Sequence, residues 1–427
     1  MPRSSTTASP IDRRLWRLAA VAGMASYLDA GILVTVGLSL TTWRDSLGFD
    51  PWTLGLISGA LTFSIAVGAL FGGRIADVFG RRRVFNIDIL VYAIGVSLIL
   101  FAQSPSLMIA GVVIGGLAAG ADLPTSIAVV SEMAPDEARG RLVAFTQVMW
   151  SVGIVAVTAL GFVVSGLGLT GIRILFAHLA VLALVTWAAR VFSPTLRRLE
   201  EDAMGAGSSY EPEPAMPLRA LFTSPRLVGT MALTGLFYIF WNLMANTLGQ
   251  FKAFLLSTVA GASQTLVTGL ALPTSLLSLV IGLVFVRIAD TRLRRPLFYV
   301  GAVLQIVAMA VGALTGGGVL GAMIVLLVLF NLSYPFAGEA LYKVWTQEGF
   351  PVNARATVQG FTYSVSRFLC AGFAVVTPAI ATANPSALLW IMTGCAAAAA
   401  VVGCFLIGRP AYRTEEPAPQ TAEPAGR

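Results

Sequence analysis

The sequence predicts an all-α integral membrane protein of twelve membrane-spanning helices, built as two six-helix halves. Three observations predict this fold class: the composition, a series of apolar segments of about twenty residues, and an internal repeat. Of the 427 residues, 56% are hydrophobic and only 11% are charged, whereas soluble domains average about 25% charged residues. A soluble chain of this length cannot bury so much apolar surface, because its core grows too slowly with size.

Twelve apolar segments are long enough to cross a hydrocarbon core of about 30 Å as helices. The segment 192–226 is the one long hydrophilic interruption, and its prolines and acidic cluster are typical of a linker. We therefore predict an N-terminal six-helix bundle over 1–191, a cytoplasmic linker over 192–226, a C-terminal six-helix bundle over 227–408 and a disordered cytoplasmic tail over 409–427. The predicted spans, numbered 1 to 12 in chain order, are 16–40, 53–72, 84–101, 106–130, 141–164, 172–191, 227–248, 266–286, 297–314, 320–345, 356–381 and 387–407.

The distribution of basic residues predicts the orientation, because loops rich in Lys and Arg stay in the cytoplasm. Of the 28 Lys and Arg residues, 23 lie on the side that holds both termini and the linker, and three, Arg44, Arg173 and Lys252, lie on the other side. The net charge of +7 is therefore a topology signal, and no nucleic acid is needed to explain it. We expect a multi-pass protein of the inner or plasma membrane, with both termini cytoplasmic, that acts as a monomer in the lipid bilayer.

The chain offers little material for metal, redox or enzyme chemistry. It has one His and three Cys, too few for a zinc site or a disulfide framework. Cys370, Cys395 and Cys404 lie in apolar stretches and fit the role of small buried hydrophobes. The sequence shows no nucleophile–base pair, metal cluster or phosphate loop. We therefore expect no cofactor and no enzymatic activity.

Two loop motifs recur about half a chain apart. RIADVFGRRR at 74–83 matches RIADTRLRRP at 287–296, and a Glu-x2-Pro-x3-Arg pattern begins at both Glu132 and Glu348. Both matches have nearly the same offset and fall in equivalent loops of the two halves. They indicate a duplicated six-helix unit, an arrangement found in one large class of secondary transporters.

These motifs resemble those of a known family. GGRIADVFGRRR (72–83) resembles the loop between spans 2 and 3 of the major facilitator superfamily, and SEMAPDEARGRL (131–142) resembles a motif of its sugar-porter-like members. Segments 237–251 and 336–360 look most like bacterial myo-inositol and related polyol porters. The sequence departs from hexose porters, because it lacks their Arg at the start of span 4 and their Gln-rich motif in span 7, and Leu293 replaces a loop Gly. The resemblance implies proton-coupled import of a polyol or sugar-like solute by alternating access.

Two deep aspartates are the predicted proton-coupling residues, Asp29 and Asp122. A charge in the hydrocarbon core costs about 2.5–3.5 kcal/mol on insertion scales, so each one is a functional candidate. Asp29 is about 18 Å along its helix from Arg17, and Asp122 is about 15 Å from Glu132, so both are expected near the midplane. Asp29 also lies in a SYLDAG segment that resembles the proton-carrying part of related porters. The two carboxylates could share one proton. The alternatives are a structural ion pair for Asp29, and for Asp122 a substrate hydroxyl contact or a cap at the bend of Pro124.

Polar and aromatic residues of spans 5, 7, 10 and 11 are the predicted substrate contacts. Amides hydrogen-bond hydroxyls in both directions, and aromatic faces stack on C–H-rich rings, so these side chains suit a polyol. The alternatives are interhelical hydrogen bonds for the span 7 amides, and buried ion pairs of Glu339 with Lys343 or Arg367. Trp345 is predicted to anchor the interface. The predicted substrate-binding residues are Gln147, Tyr238, Trp241, Asn242, Asn246, Glu339, Tyr342, Lys343 and Arg367.

The repeated loops are predicted to form a cytoplasmic gate. Their carboxylates can pair with arginines of neighbouring loops when this side closes, and the pairs break when it opens. Each exposed pair is worth only about 0–1 kcal/mol, which suits a switch between two states of similar energy. The predicted gate residues are Asp77, Arg81, Glu132, Arg139, Asp290, Glu348 and Arg355.

Three substrate classes stay open at this point. The span 7 amides favour a polyol or sugar-like solute. Arg367 and Lys343 favour phosphate or a small organic anion carried with protons, and GADLPTS (120–126) is similar to a segment of phosphate:proton symporters. A drug:proton antiporter is less favoured, because it would need a largely apolar, aromatic cavity. A channel is disfavoured, because the repeat and the gate loops imply alternating access.

Overall fold

The computed structural model describes residues 13–133, 136–193, 218–288 and 291–408, apart from some side chains that lie mostly near one end of the spans. Every regular element in these ranges is helical. Ten of the described helices are long and apolar enough to cross a membrane, and the apolar stretches Val148–Val163 and Leu320–Ser333 account for the two remaining predicted spans. Most of the predicted linker and the whole predicted tail lie outside the described residues.

The helices run longer than the apolar segments that predicted them. In the first half, a 3-10 turn at Ser165–Leu167 joins spans 5 and 6, and the six spans are Arg13–Leu47, Pro51–Phe79, Arg81–Phe101, Pro105–Met133, Asp136–Val163 and Leu169–Phe192. In the second half a short helix, Leu218–Thr223, precedes spans 7 to 12, which are Pro225–Thr258, Gln264–Ile288, Arg294–Leu314, Leu320–Ser333 with Glu339–Gly349, Val352–Ala383 and Pro385–Ile407. Lys252, expected in a loop, therefore lies within the helix of span 7.

Three spans begin with the same local device, a capping side chain followed by a proline. Asp50, Ser224 and Asn384 each accept a hydrogen bond from the backbone N–H three residues on, and each precedes the first helical proline. The cap satisfies a free N–H of the first turn, and the proline lacks the N–H that would otherwise be orphaned there. Hydrogen bonds from the side chain and backbone of Thr53 also lower the pKa of the exposed Asp50 carboxyl.

Span 10 was expected as one helix over 320–345, and this prediction is wrong. The helix ends at Ser333 and a new one begins at Glu339; the two parts are called span 10a and span 10b below. Pro335 lies in the break, and proline interrupts a helix because it has no N–H to donate and its ring clashes with the preceding turn. Gly338 follows in an extended conformation, where a Cβ would lie 2.6 Å from the indole of Trp241.

The packing of the helices confirms the duplication. Span 1 packs on spans 5 and 6, span 2 on span 4, and span 3 on spans 4 and 6; the second half repeats each of these pairs six spans later. Between the halves, span 1 packs on span 7, span 2 on span 11 and span 5 on span 8. A two-fold pseudo-symmetry that exchanges the halves turns the contact between spans 2 and 11 into the contact between spans 8 and 5. Both of these contacts are present.

The two halves meet at the end of the bundle that lies away from the chain termini. There Arg44 donates to the Thr258 hydroxyl at 2.7 Å, and Thr41 bonds Ser257 at 2.7 Å. Gly55 packs directly on the backbone of span 11. At the terminal end, by contrast, the described apolar cores are two separate clusters, and each belongs to one half. The described part of the chain is therefore closed at one end.

Candidate functional site

Asp29 and Arg367 lie in the middle of the bundle and come from opposite halves. Asp29 is 2% exposed, and its Oδ1 has no hydrogen-bond partner among the described residues. Trp150 of span 5 is near enough to hydrogen-bond the carboxylate, and the charge of Arg367 acts on it directly. Arg367 donates to the Tyr363 hydroxyl at 2.5 Å, whereas its Nη1 is buried and has no partner among the residues that the structure describes. The centre thus holds one free acceptor and one free cationic donor.

Aromatic rings form a continuous wall on the second half of this centre. The Tyr238 ring stacks on Tyr342 at 4.2 Å between centroids, on Tyr363 at 5.7 Å and on Trp241 at 5.9 Å. The Trp241 ring continues the wall to Tyr334 in the break of span 10, at 5.3 Å. Within the described part of the chain, the indole N–H of Trp241 is buried without a partner. Such a wall combines flat apolar faces with a few hydrogen-bonding edges.

Glu339 and Lys343 form the ion pair that their spacing predicted, with 2.8 Å between Nζ and Oε1. Both side chains keep partial exposure, 23% for Glu339 and 35% for Lys343. Glu339 occupies the first turn of span 10b, where a negative charge is favoured by the helix dipole. The alternative partner, Arg367, is instead bonded to Tyr363.

The span 7 amides make interhelical hydrogen bonds, which was the alternative reading of this polar stripe. Asn242 donates to the Ser366 hydroxyl at 3.0 Å. Gln250 donates to the Asn246 side chain at 3.0 Å and to the Thr62 hydroxyl of the other half at 2.7 Å. Asn242 thus connects spans 7 and 11, and Gln250 connects span 7 to the other half, whereas the bond that Asn246 accepts stays within span 7. The role of Asn242 and Asn246 as substrate contacts stays a prediction.

Three other predictions for spans 5 and 10 have different outcomes. Tyr342 belongs to the aromatic wall, and its hydroxyl lies 2.6 Å from that of Thr362. Trp345 was expected at the membrane interface, and this is wrong. It is 1% exposed and packs against Phe237 at 4.9 Å in the core of the second half. The side chain of Gln147 lies outside the described residues.

Asp122 does not contact Asp29, so the predicted shared proton between them is not supported. Its carboxylate forms a bidentate bridge with Arg190 of span 6, at 2.9 and 3.0 Å, and accepts a bond from Ser126 at 2.8 Å. Arg190 also contacts Asp88 of span 3 at 3.4 Å. Charge counting had placed Arg190 among the cytoplasmic loop residues, whereas it is 5% exposed. The sequence signal that could have identified this cluster is the presence of three charged residues, Asp88, Asp122 and Arg190, within predicted spans of the same half.

Only part of the predicted gate lies within the described residues. Glu348 forms a bidentate bridge with Arg294 at 2.6 and 3.1 Å. Arg294 corresponds in the repeat to Arg81, and Glu348 to Glu132. Arg355 donates its Nε to the Phe350 carbonyl at 2.9 Å. Asp290, and the side chains of the other predicted gate residues, lie outside the described residues; these are Asp77, Arg81, Glu132 and Arg139.

Known proteins resemble this chain over nearly its whole length. The family model of the Major Facilitator Superfamily matches residues 19–375. The minor myo-inositol transporter IolF of Bacillus subtilis is 31% identical over 395 residues, which are 90% of this chain and 88% of that protein. The niacin transporter NiaP of Acinetobacter baylyi is 31% identical over 160 residues, 37% of this chain and 36% of that protein. The crystal structure of a D-xylose-proton symporter has a TM-score of 0.75 at 18% identity and covers 94% of this chain and 99% of that one.

Proposed function

The chain belongs to the Major Facilitator Superfamily, and we propose that it imports a polyol or sugar-like solute together with protons. The full-length similarity to a myo-inositol transporter supports the solute class. The fold shared with a D-xylose-proton symporter supports alternating access between two halves. The halves are residues 1–191 and 227–408, joined by the linker 192–226.

The observation that carries this proposal is the arrangement of Asp29, Arg367 and the aromatic wall. A buried carboxylate without an ion-pair contact is costly unless protonation is part of its cycle. Protonated Asp29 can donate a hydrogen bond to a solute hydroxyl, while ionised Asp29 is attracted to Arg367 across the two halves. The free N–H groups of Trp241 and Arg367 can donate to further hydroxyls, and the rings offer stacking surface.

The distribution of basic residues supports a cytoplasmic location of both termini. The closed end of the bundle then faces outward, and the separated cores face the cytoplasm. On this reading the structure represents the inward-facing state of the cycle. The Glu348–Arg294 bridge is formed in this inward-facing state and lies within the second half, so it holds spans 9 and 10b together rather than closing the cytoplasmic side.

Transport by purified protein in vesicles with an imposed inward proton gradient tests the proposal. Myo-inositol, D-xylose and niacin serve as probes, because relatives and neighbours are named for them. We expect the wild type to accumulate a polyol or sugar, and the Asp29→Asn variant to bind it without accumulating it. The matched control is Asp45→Asn, because this carboxylate is 58% exposed and lies at the outer end of span 1.

Two results would contradict the proposal. Accumulation by Asp29→Asn would show that Asp29 is not the obligatory proton carrier. Thermal stabilisation by niacin, with none by either polyhydroxylated probe, would move the substrate to the anion class, because a ligand stabilises the folded state that binds it.

A small organic anion is the second candidate, and one observation favours it. Arg367 Nη1 is a buried cationic donor with no partner in the described ranges, and Lys343 lies nearby on span 10b, where the two charges interact. A carboxylate could accept from Arg367 in the place of a hydroxyl. Replacing Arg367 with Gln should abolish anion binding but only weaken polyol binding, so the two candidates separate in one variant.

A further inference from the structure

A buried cluster of three charges lies in the first half, apart from the central site. Arg190 donates hydrogen bonds to the Asp122 carboxylate through both of its terminal nitrogens. It also donates to the backbone carbonyl of Phe85. The Phe85 ring lies 3.7 Å below the guanidinium carbon. Side-chain exposure is 0% for Arg190, 3% for Asp122 and 5% for Asp88. The cluster is therefore removed from water.

The charges of the cluster do not balance if both aspartates are ionised. One guanidinium faces two carboxylates, so the fully ionised cluster carries a net charge of −1 in a dry environment. Like charges at one site disfavour ionisation of one partner, and burial disfavours it further. One proton on either carboxyl makes the cluster neutral.

The contacts of the two carboxyls differ, and the difference favours Asp88 as the one that holds the proton. Asp122 takes both arms of the guanidinium and the Ser126 hydroxyl, which is the environment of an ionised carboxylate. Asp88 Oδ1 accepts a hydrogen bond from the Ile89 backbone N–H at 2.7 Å and has one long contact with Arg190 at 3.4 Å, whereas Oδ2 is buried without a partner among the described residues. The unbonded oxygen of Asp88 is where a proton can reside.

Among the described side chains of span 3 and of the spans packed on it, no other charge is placed to compensate Asp88. Span 3 packs against spans 2, 4 and 6. Span 4 contributes Asp122, span 6 contributes Arg190, and the described charge on span 2, Arg74, is exposed. The side chain of Asp77, near the end of span 2, lies outside the described residues.

The cluster is connected to the central site through span 3. Tyr92 lies one helical turn beyond Asp88 and donates its hydroxyl to the Leu28 carbonyl, next to Asp29, at 2.9 Å. Asp88 is about 10 Å along span 3 from Arg81 at its terminal end. It therefore lies between the central carboxylate and the side of the membrane where the termini are expected.

We propose that Asp88, beside the Arg190–Asp122 bridge, is a second proton-binding site of the transport cycle, on the cytoplasmic side of Asp29. Protonated Asp88 first releases its proton to the cytoplasm, which leaves the cluster anionic, and the Asp88 carboxylate then takes up the proton that leaves Asp29, which makes the cluster neutral again. This inference rests on the proton coupling of the proposed function. The experiment below detects the proton without measuring transport, so the two can fail separately.

Infrared spectroscopy of the purified full chain detects this proton through the carbonyl stretch of a protonated carboxylic acid. The background variant is Asp29→Asn, which removes the central carboxyl. At neutral pH, where exposed carboxylates are ionised, we expect one residual acid band that disappears as the pH is raised. Asp88→Asn in this background should remove the band, and the control Asp45→Asn should retain it.

A second variant keeps the test decisive if Asp88→Asn does not fold. Asp122→Asn leaves Asp88 as the one anion beside Arg190, so Asp88 should ionise and the band should vanish although Asp88 is still present. A band that persists without Asp88, an absent band in the Asp29→Asn background, or a band that does not titrate at alkaline pH would each overturn the proposal.

Discussion

Adding one methyl group at Gly55 should shift the protein toward its outward-open state. A Cβ at this position would lie 1.9 Å from the Val375 carbonyl oxygen and 3.2 Å from the Val375 Cα. Ordinary carbon–oxygen contacts are about 3.3–3.6 Å, so spans 2 and 11 must separate by more than 1 Å. Small residues permit such close helix packing, and no flexible side chain can yield here because the obstacle is backbone.

The size of this shift in conformational equilibrium depends on which state contains the contact between Gly55 and span 11. Overpacking of a well-packed contact costs about 1–3 kcal/mol. The inter-half contact forms only when the outer end is closed, so the whole cost falls on that state. A difference of about 1–3 kcal/mol changes the ratio of two conformations by roughly 5- to 150-fold. The fold itself should be unaffected, because Gly55 contacts the other half.

Distances between spin labels measure this shift. Cysteines at Trp52 and Ala383, in a background without the native cysteines, place labels at the outer ends of spans 2 and 11. We expect Gly55→Ala to add a population with a longer distance. The matched control is Gly372→Ala on span 11, because a Cβ there has no atom within 4 Å. Equal distance distributions for the two variants would refute this account of the closed end.

Three further predictions concern hydrogen bonds and charges. Asn242→Ala should lower the unfolding free energy by about 0.5–1.5 kcal/mol through loss of the Ser366 bond, while solute affinity stays unchanged in a thermal-shift titration; a loss of affinity would restore Asn242 as a substrate contact. Arg190→Met should destabilise the protein by about 3–5 kcal/mol, because Asp122 is left as a buried unpaired charge, and adding Asp122→Asn should recover most of it in thermal unfolding. Gln250→Leu should make a label at the outer end more accessible, because its bond to the other half is lost; unchanged accessibility would show that this bond does not hold the closed state.

The fold could be predicted almost entirely from the sequence. Apolar length determines which segments cross the membrane, because no polar backbone can face lipid. The break in span 10 was missed, since hydropathy averages over about twenty residues and Pro335 with Gly338 barely changes that average. The indole of Trp241 fills the space beside Gly338. This contact involves another span, so the local sequence around Gly338 does not reveal it.

The site could be predicted in its residue types more than in its contacts. Depth along a helix follows from residue number, so Asp29 was expected near the middle of the membrane. Direction around the helix does not follow, because the partner of each side chain depends on how the spans pack. Arg190 shows this limit: counting charges near span ends ignores which way a side chain points, and this one points inward to Asp122.

The two halves carry different chemistry, and this division constrains how a proton can drive the solute. The buried aspartates Asp29, Asp88 and Asp122 belong to the first half, whereas the aromatic wall, Arg367 and the Glu339–Lys343 ion pair belong to the second. A proton bound by the first half can affect a solute on the second only through something that both halves share. Asp29 and Arg367 are that shared element, because the charge of one acts on the other across the central space. Coupling then requires the protonation state of Asp29 to change the relative energy of the two conformations, as linkage between two binding events demands.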